Sequence, residues 1–196
     1  TAMVPGAFLA GQDIVRDCMH EPTIRKFLDR AVYEEILPTV QLPEEEVRAF
    51  AASVMERFDN PFIDHALLSI CLNSVSKWKA RVLPSLLDSL AATGKLPQCL
   101  TFSFAALAAF YCGTLTENGF CGTRNGVPYP IKDDQAVIDF FSENAANPEL
   151  VRLLAARSDF WGQDLTEIPG FVETVGHWFG VIREKGMYRA FQEVLQ

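Results

Sequence analysis

Arg57-Phe58-Asp59-Asn60-Pro61-Phe62-Ile63-Asp64-His65, continued by Leu67-Leu68-Ser69-Ile70-Cys71-Leu72-Asn73-Ser74-Val75-Ser76-Lys77 and closed by Arg81-Val82-Leu83-Pro84-Ser85-Leu86, is the stretch from which the fold is read. Asn60 is a favourable helix cap and Pro61 suits a first turn, so a helix is predicted to start there and to run until Pro84 removes a backbone donor. Leu68, Cys71, Val75, Trp78 and Val82 recur at helical spacing and make one apolar face. On the other side, His65, Ser69, Asn73, Lys77 and Arg81 follow one another every fourth residue. Such a row overshoots each turn by roughly 40° and drifts around the helix, so only Asn73, Lys77 and Arg81 share a surface. That surface suits an anionic or polyhydroxylated ligand. Spacing alone favours a plainer reading, because the helix dipole draws cations to the last turns by about 0.3–1 kcal/mol with or without a ligand.

Outward from this stretch the chain reads as helix after helix. Residues 4–19 form an apolar-rich first helix, and Pro22 opens a second whose Ile24, Phe27, Leu28, Ala31 and Ile36 keep helical spacing up to Pro38. Pro43 followed by Glu44-Glu45-Glu46 is a first turn with its acids placed for the dipole. Pro84 begins another helix that ends near Gly94, and residues 96–115 are apolar nearly all round, as expected of the centre of a core. Residues 116–132, with Gly119, Gly122, Gly126, Pro128 and Pro130, read as the longest loop. Helices resume at 134–144, 147–156 and 169–185, with a short one after Gly186. No alternating run is long enough for a sheet, and there is no repeat or interdomain linker. The expected fold is all-α, a single multi-helix domain over residues 1–196.

Composition narrows the function classes. A chain of 196 residues with 49% hydrophobic and 21% charged residues can bury a real core and is globular. A formal charge of −8 with no basic patch beyond the short Lys77 to Arg81 cluster argues against nucleic acid. A small anion senses only the local field and survives that objection. The five cysteines are scattered, without a C-x-x-C, and read as free thiols of a cytoplasmic protein. Three histidines without ligand spacing give no metal site. Neither a signal peptide nor a membrane span is indicated. Phe102, Phe104, Phe110 and Tyr111 read as core packing, and the loop around Arg124 as either a lid or an ordinary connection. Of the histidines, His65 is a better acid, base or ligand candidate than His177, which sits beside Trp178 on an amphipathic helix.

Three segments carry a resemblance. Arg57-Phe-x-Asn60-Pro61, Ser76-Lys77 and Arg81-Val82-Leu83-Pro84-Ser85-Leu86, together with Thr1-Ala2-Met3-Val4-Pro5 and Leu9-Ala10-Gly11 at the start, and Gly122-Thr123-Arg124-Asn125-Gly126 with Tyr129 and Asp133-Asp134, are similar to the long-chain mannitol dehydrogenase family. Within that family the chain most resembles the tagaturonate reductase (altronate oxidoreductase) branch. Polyol-oxidising members resemble Arg-x-x-x-Asp-Gly-x-Ser-Lys in the signature helix, where this chain keeps Lys77 but has Ser69 for the Arg and Asn73-Ser74 for the Asp-Gly. Loss of that Arg points away from mannitol and toward a hexuronate.

The resemblance implies a C-terminal substrate domain of the 6-phosphogluconate dehydrogenase-like type, following a Rossmann domain that binds NAD. The family's catalytic Lys, Asn and His precede a Thr-Ala-Met-Val-Pro segment, so they are expected upstream of residue 1, with no catalytic residue in this chain. No G-x-G-x-x-G occurs here. The implied reaction is hydride transfer between NAD(H) and a hexonate/ketohexuronate pair, with Lys77 as the principal substrate contact and Asn73, Arg81, His65 and Arg124 as further candidates. The chain alone is expected to be inactive. Fructuronate or mannitol reduction, and a stand-alone helical binding module, are the alternative readings.

Overall fold

A computed structural model describes residues 1–196. Forty-nine buried residues form one contiguous cluster, so the chain has a single hydrophobic core. Its elements begin with α1 (Val4–Leu9), α2 (Val15–His20) and α3 (Pro22–Arg30), which runs on into a wider π turn at Ala31–Ile36 and a 3-10 turn at Leu37–Thr39. Next come α4 (Glu44–Phe58), α5 (Leu67–Ile70), α6 (Ser74–Arg81), α7 (Leu83–Thr93) and α8 (Gln98–Phe110). Three strands follow, β1 (Gly113–Thr116), β2 (Gly119–Arg124) and β3 (Val127–Pro130). The chain ends with α9 (Gln135–Asn144), α10 (Leu150–Ala155), α11 (Ser158–Trp161), α12 (Phe171–Lys185) and α13 (Met187–Val194).

The expected central helix is α8, buried at every position except Gln98 and Ala109. It packs against α1, α12 and α13, and an aromatic lattice fills the gaps. Phe102 meets Phe27, Trp178 and Phe191, while Trp78 of α6 stands edge-on to Phe104 at 4.9 Å and to Trp161 at 5.5 Å. The Trp78 indole also donates to the Ser103 hydroxyl at 2.9 Å, which satisfies a polar group that burial would otherwise penalise. Phe102, Phe104, Phe110 and Tyr111 are all buried core residues, as the sequence suggests.

Three expectations are corrected. Residues 4–19 are two helices, separated at Gly11 by a positive φ of 109°. The helix expected from Asn60 to Pro84 does not exist as one piece. The Asn60 side chain accepts from the Phe62 amide at 2.9 Å, so Asn60-Pro61 makes a local turn instead of a helix start. Helix then appears at α5, breaks at Asn73, whose φ of 51° is left-handed, resumes as α6, and gives way at Val82 to α7, with Pro84 in the first turn.

The segment at 116–132 is mostly a sheet. β1, β2 and β3 pair antiparallel in sequence order, and Asn125-Gly126, both at positive φ, make the tight turn between β2 and β3. β2 buries only Phe120 and Gly122, β3 only Tyr129 and β1 no residue, and the prolines lie on edge strand β3, where no donor is needed. Tyr129 is the sheet's anchor. Its hydroxyl donates to the Phe110 carbonyl at 2.7 Å and its ring stands edge-on to Phe8 at 4.9 Å.

Candidate functional site

Of the polar candidates in the signature stretch, His65 precedes α5, Ser69 lies on α5, Asn73 at the break, and Lys77 and Arg81 on α6. In an α-helix each amide donates to the carbonyl four residues back. At the break this ladder is replaced by bonds from outside. The Asn73 amide donates to the Lys132 carbonyl at 3.0 Å, the Ser74 amide to the Tyr111 hydroxyl at 3.1 Å, and the Val75 amide to Asp133 Oδ2 at 3.3 Å. Tyr111 also donates to Asp133 Oδ2, and burial, followed by the Asp133 charge, pushes the phenol well above its ordinary range.

Lys77, one turn into α6, is half-buried and reaches back to donate to the Ile70 carbonyl at 3.0 Å. An ammonium has three donors, so this bond fixes the group and leaves donors for a ligand. Arg81 is exposed and has no ion-pair or hydrogen-bond partner in the chain, while the Asn73 side chain is exposed at the break.

A cavity of about 440 Å³ opens beside these residues. Its mouth carries His65, Arg81 and Thr1, and its walls are apolar side chains that include Val4, Val15, Ile36 and Phe58. Ile70, whose carbonyl Lys77 holds, lines the same cavity. Arg81 therefore lines this cavity beside Thr1, and Lys77 is bonded to the Ile70 carbonyl in its wall. Cys71, next to Ile70, is buried, which pushes its thiol up to about 12 and leaves it a poor nucleophile.

Arg124 lies elsewhere. It lines a second cavity, of about 500 Å³, that shares no wall residue with the first. Its guanidinium is occupied within the chain, donating to the Phe8 and Gln12 carbonyls at 3.0 and 3.1 Å and pairing with Asp13 at 2.7 Å. It also lies over the Phe8 ring, 4.2 Å from the centroid. The structure thus brings His65 and Arg81 to the cavity beside Thr1 with Lys77 bonded to its Ile70 wall, places Asn73 at the helix break, and gives Arg124 to the joint between β2 and α1. Sequence reasoning missed Tyr111 and Asp133 as partners of the signature stretch. Tyr111 gave only an apolar signal, and no local pattern relates it to a break 37 residues earlier.

No group of three or more His, Cys, Asp or Glu side chains is placed to hold a metal ion, and no helix is long and apolar enough to cross a membrane. The chain also does not fit a dinucleotide's phosphates. It has no glycine-rich strand-turn-helix loop, and its small sheet is antiparallel.

Comparison with known proteins agrees with this architecture. The family model described as mannitol dehydrogenase C-terminal domain matches residues 1–181. Altronate oxidoreductase of Escherichia coli strain K12 is 43% identical over 198 aligned positions, which take in 97% of this chain and 39% of the relative. The chain thus spans about two-fifths of the length of such curated relatives. Among solved structures, a ternary complex of Pseudomonas fluorescens mannitol 2-dehydrogenase with NAD and D-mannitol superposes with a TM-score of 0.82 at 23% identity, over 99% of this chain and 38% of that one. A substrate-free D-sorbitol dehydrogenase gives 0.66 at 16% identity, over 97% of this chain and 37% of that one. These two likenesses concern the fold. The helical core and the match over nearly the whole chain converge: the chain belongs to the mannitol dehydrogenase C-terminal domain family.

Proposed function

We propose that this chain is the substrate-holding domain of an NAD-dependent oxidoreductase that interconverts a hexonate and a ketohexuronate, with altronate and tagaturonate as the pair. The observation that carries the reading is one cavity with Arg81 in its lining and Lys77 bonded to its Ile70 wall, in a chain of formal charge −8. Cations placed at one cavity in an acidic protein suit a small anionic substrate. Altronate oxidoreductases at 43% identity support that substrate class, and Ser69, too short to take the place of an arginine, fits mannitol less well.

In this reading the nicotinamide cofactor supplies the hydride and is held by another part of the protein. Lys77 holds the sugar acid's carboxylate by a charge-assisted hydrogen bond, with Arg81 beside it, while His65 and Asn73 face the hydroxyls. The general acid/base sits on residues preceding Thr1, close to this mouth. The domain's own contribution is orientation. Exposed apolar side chains next to the signature stretch, Phe62 at 92% and Ile63 at 60%, support an interdomain location.

The test is a panel of tagaturonate, fructuronate and fructose on the enzyme that contains this chain, with and without Lys77→Met. That change keeps most of the aliphatic stem and removes the charge. A loss of about ten- to a hundredfold in kcat/KM is expected, larger for the two hexuronates than for fructose. Equal losses on all three would show that Lys77 does not read the carboxylate, and preference for fructose in the unaltered enzyme would assign it to polyol chemistry.

A further inference from the structure

We propose that Tyr111 and Asp133 are positioning residues for Lys77, acting through one exchange of hydrogen-bond partners at the break between α5 and α6. In an uninterrupted helix the Ser74 amide would donate to the Ile70 carbonyl. Here it donates to the Tyr111 hydroxyl at 3.1 Å, and the Lys77 ammonium takes the Ile70 carbonyl at 3.0 Å. The Ser74 amide has one proton, so its bond to Tyr111 excludes the helical one and leaves the Ile70 carbonyl open to Lys77. Freeing Ile70 from the backbone ladder is what gives Lys77 its anchor.

The surroundings make Tyr111 a fixed partner. The residue is fully buried, its ring is stacked on Phe141 at 4.8 Å, and its hydroxyl donates to Asp133 Oδ2. The same carboxylate oxygen accepts from the Val75 amide, and the neighbouring Lys132 carbonyl accepts from Asn73. Three consecutive amides at the start of α6 are therefore held by Tyr111 and the 132–133 segment, none by α5. A phenol–carboxylate pair that serves packing alone has no need to meet two consecutive main-chain donors. Its effect on this geometry is to set the direction in which α6 leaves the break, and hence where Lys77 and Arg81 stand.

The inference rests on the reading that Lys77 binds the substrate carboxylate, and the test separates the two. Tyr111→Phe keeps the ring and removes the acceptor, so Ser74 is expected to turn back toward Ile70, compete with Lys77 for its carbonyl and shift the ammonium. In the enzyme that contains this chain, kcat/KM for a hexuronate should fall about tenfold, chiefly through KM, with a smaller change for an uncharged ketohexose. Added to Lys77→Met, the same change should cost less than about twofold, because its effect runs through Lys77. Asp133→Asn should act in the same direction more weakly, which keeps the proposal testable if Tyr111→Phe does not fold. Equal fold losses with and without Lys77 would overturn it, since the pair would then act on the fold alone. If Lys77→Met leaves hexuronate turnover intact, the substrate reading falls. The exchange is then decided by the Ser74 amide in the 196-residue chain, whose NMR shift and exchange rate must change in Tyr111→Phe; an unaltered amide overturns the proposal.

Discussion

The Glu35 carboxylate meets the Leu100 amide at 2.9 Å inside the core, and its other oxygen meets the Cys99 amide at 2.7 Å. A residue on the π turn thus caps the N-terminus of α8, two orphan donors being satisfied by one side chain that is only 7% exposed. Burial raises the Glu35 pKa, and it outweighs the amide bonds and the Arg30 charge, which act the other way. Between the unfolded value of about 4.3 and the raised folded value, the folded chain binds more protons than the unfolded one. Glu35's contribution to stability therefore falls as pH rises through that window and is level above it. Glu35→Gln should lower stability by about 1–3 kcal/mol near neutrality, with the deficit growing as pH is lowered toward 4.5. Urea titrations of both proteins across this range check it, and a deficit independent of pH would show that Glu35 is ionised throughout.

Arg124 is expected to matter for stability and not for substrate. Removing its guanidinium leaves the Gln12 carbonyl without its side-chain donor, the Phe8 carbonyl with only the Gly11 amide, and Asp13 without its partner. Asp13 is 68% exposed, so its ion pair is largely screened, and the carbonyl bonds carry most of the loss. Arg124→Met should cost about 1–3 kcal/mol in unfolding free energy while KM for a hexuronate stays within about twofold. A large KM effect at unchanged stability would return Arg124 to the substrate site.

Much of the architecture is legible in the chain, and the failures have a common cause. α8 announces itself because a helix buried all round needs no partner to be recognised, and α3, α4 and α12 carry their own proline or acid signals at the start. Asn60-Pro61 misled because the same residues that cap helices also make turns, and the competing bond, Asn60 to Phe62, is equally local. The break at Asn73 has no local signature, since its bonds come from Lys132, Tyr111 and Asp133. The sheet was legible in one dipeptide. Asn125-Gly126 between Arg124 and Val127 is a hairpin turn signal, masked by the neighbouring glycines and prolines that read as loop. For the site, Lys77 and Arg81 came from spacing and resemblance together, whereas their relation to Thr1 and Ile70 is tertiary.

The hairpin itself can be tested at Gly122. A Cβ built there would fall inside the Tyr129 ring, and Gly113, paired opposite it in the register, is closed against the Cys121 backbone in the same way. Gly122→Ala must displace Tyr129, and with it the bond to the Phe110 carbonyl and the contact with Phe8. A loss of about 1–3 kcal/mol is expected, together with a weaker near-ultraviolet circular dichroism signal from the tyrosine. Full stability in Gly122→Ala would mean that the ring has an alternative seat.

Arg81 and Lys77 are anchored differently, and under the proposed function that difference predicts different mutational signatures. Lys77 is half-buried and bonded to Ile70, so its removal touches both ligand and fold. Arg81 is exposed at the end of α6 with no partner in the chain, so Arg81→Gln should leave stability within about 0.5 kcal/mol. Its charge acts on the substrate through solvent and is screened accordingly. For a hexuronate, Arg81→Gln is expected to raise KM by about three- to tenfold at low salt, and the deficit should shrink as ionic strength rises. The Lys77→Met deficit should persist in salt, because a hydrogen bond at a half-buried donor is screened less. Measuring KM for both variants from about 10 mM salt to about 1 M, where the Debye length falls from about 30 to about 3 Å, separates the two roles. Identical salt dependence would show that both cations act only as a diffuse field, and an Arg81 deficit that survives high salt would make Arg81 the direct carboxylate partner in place of Lys77.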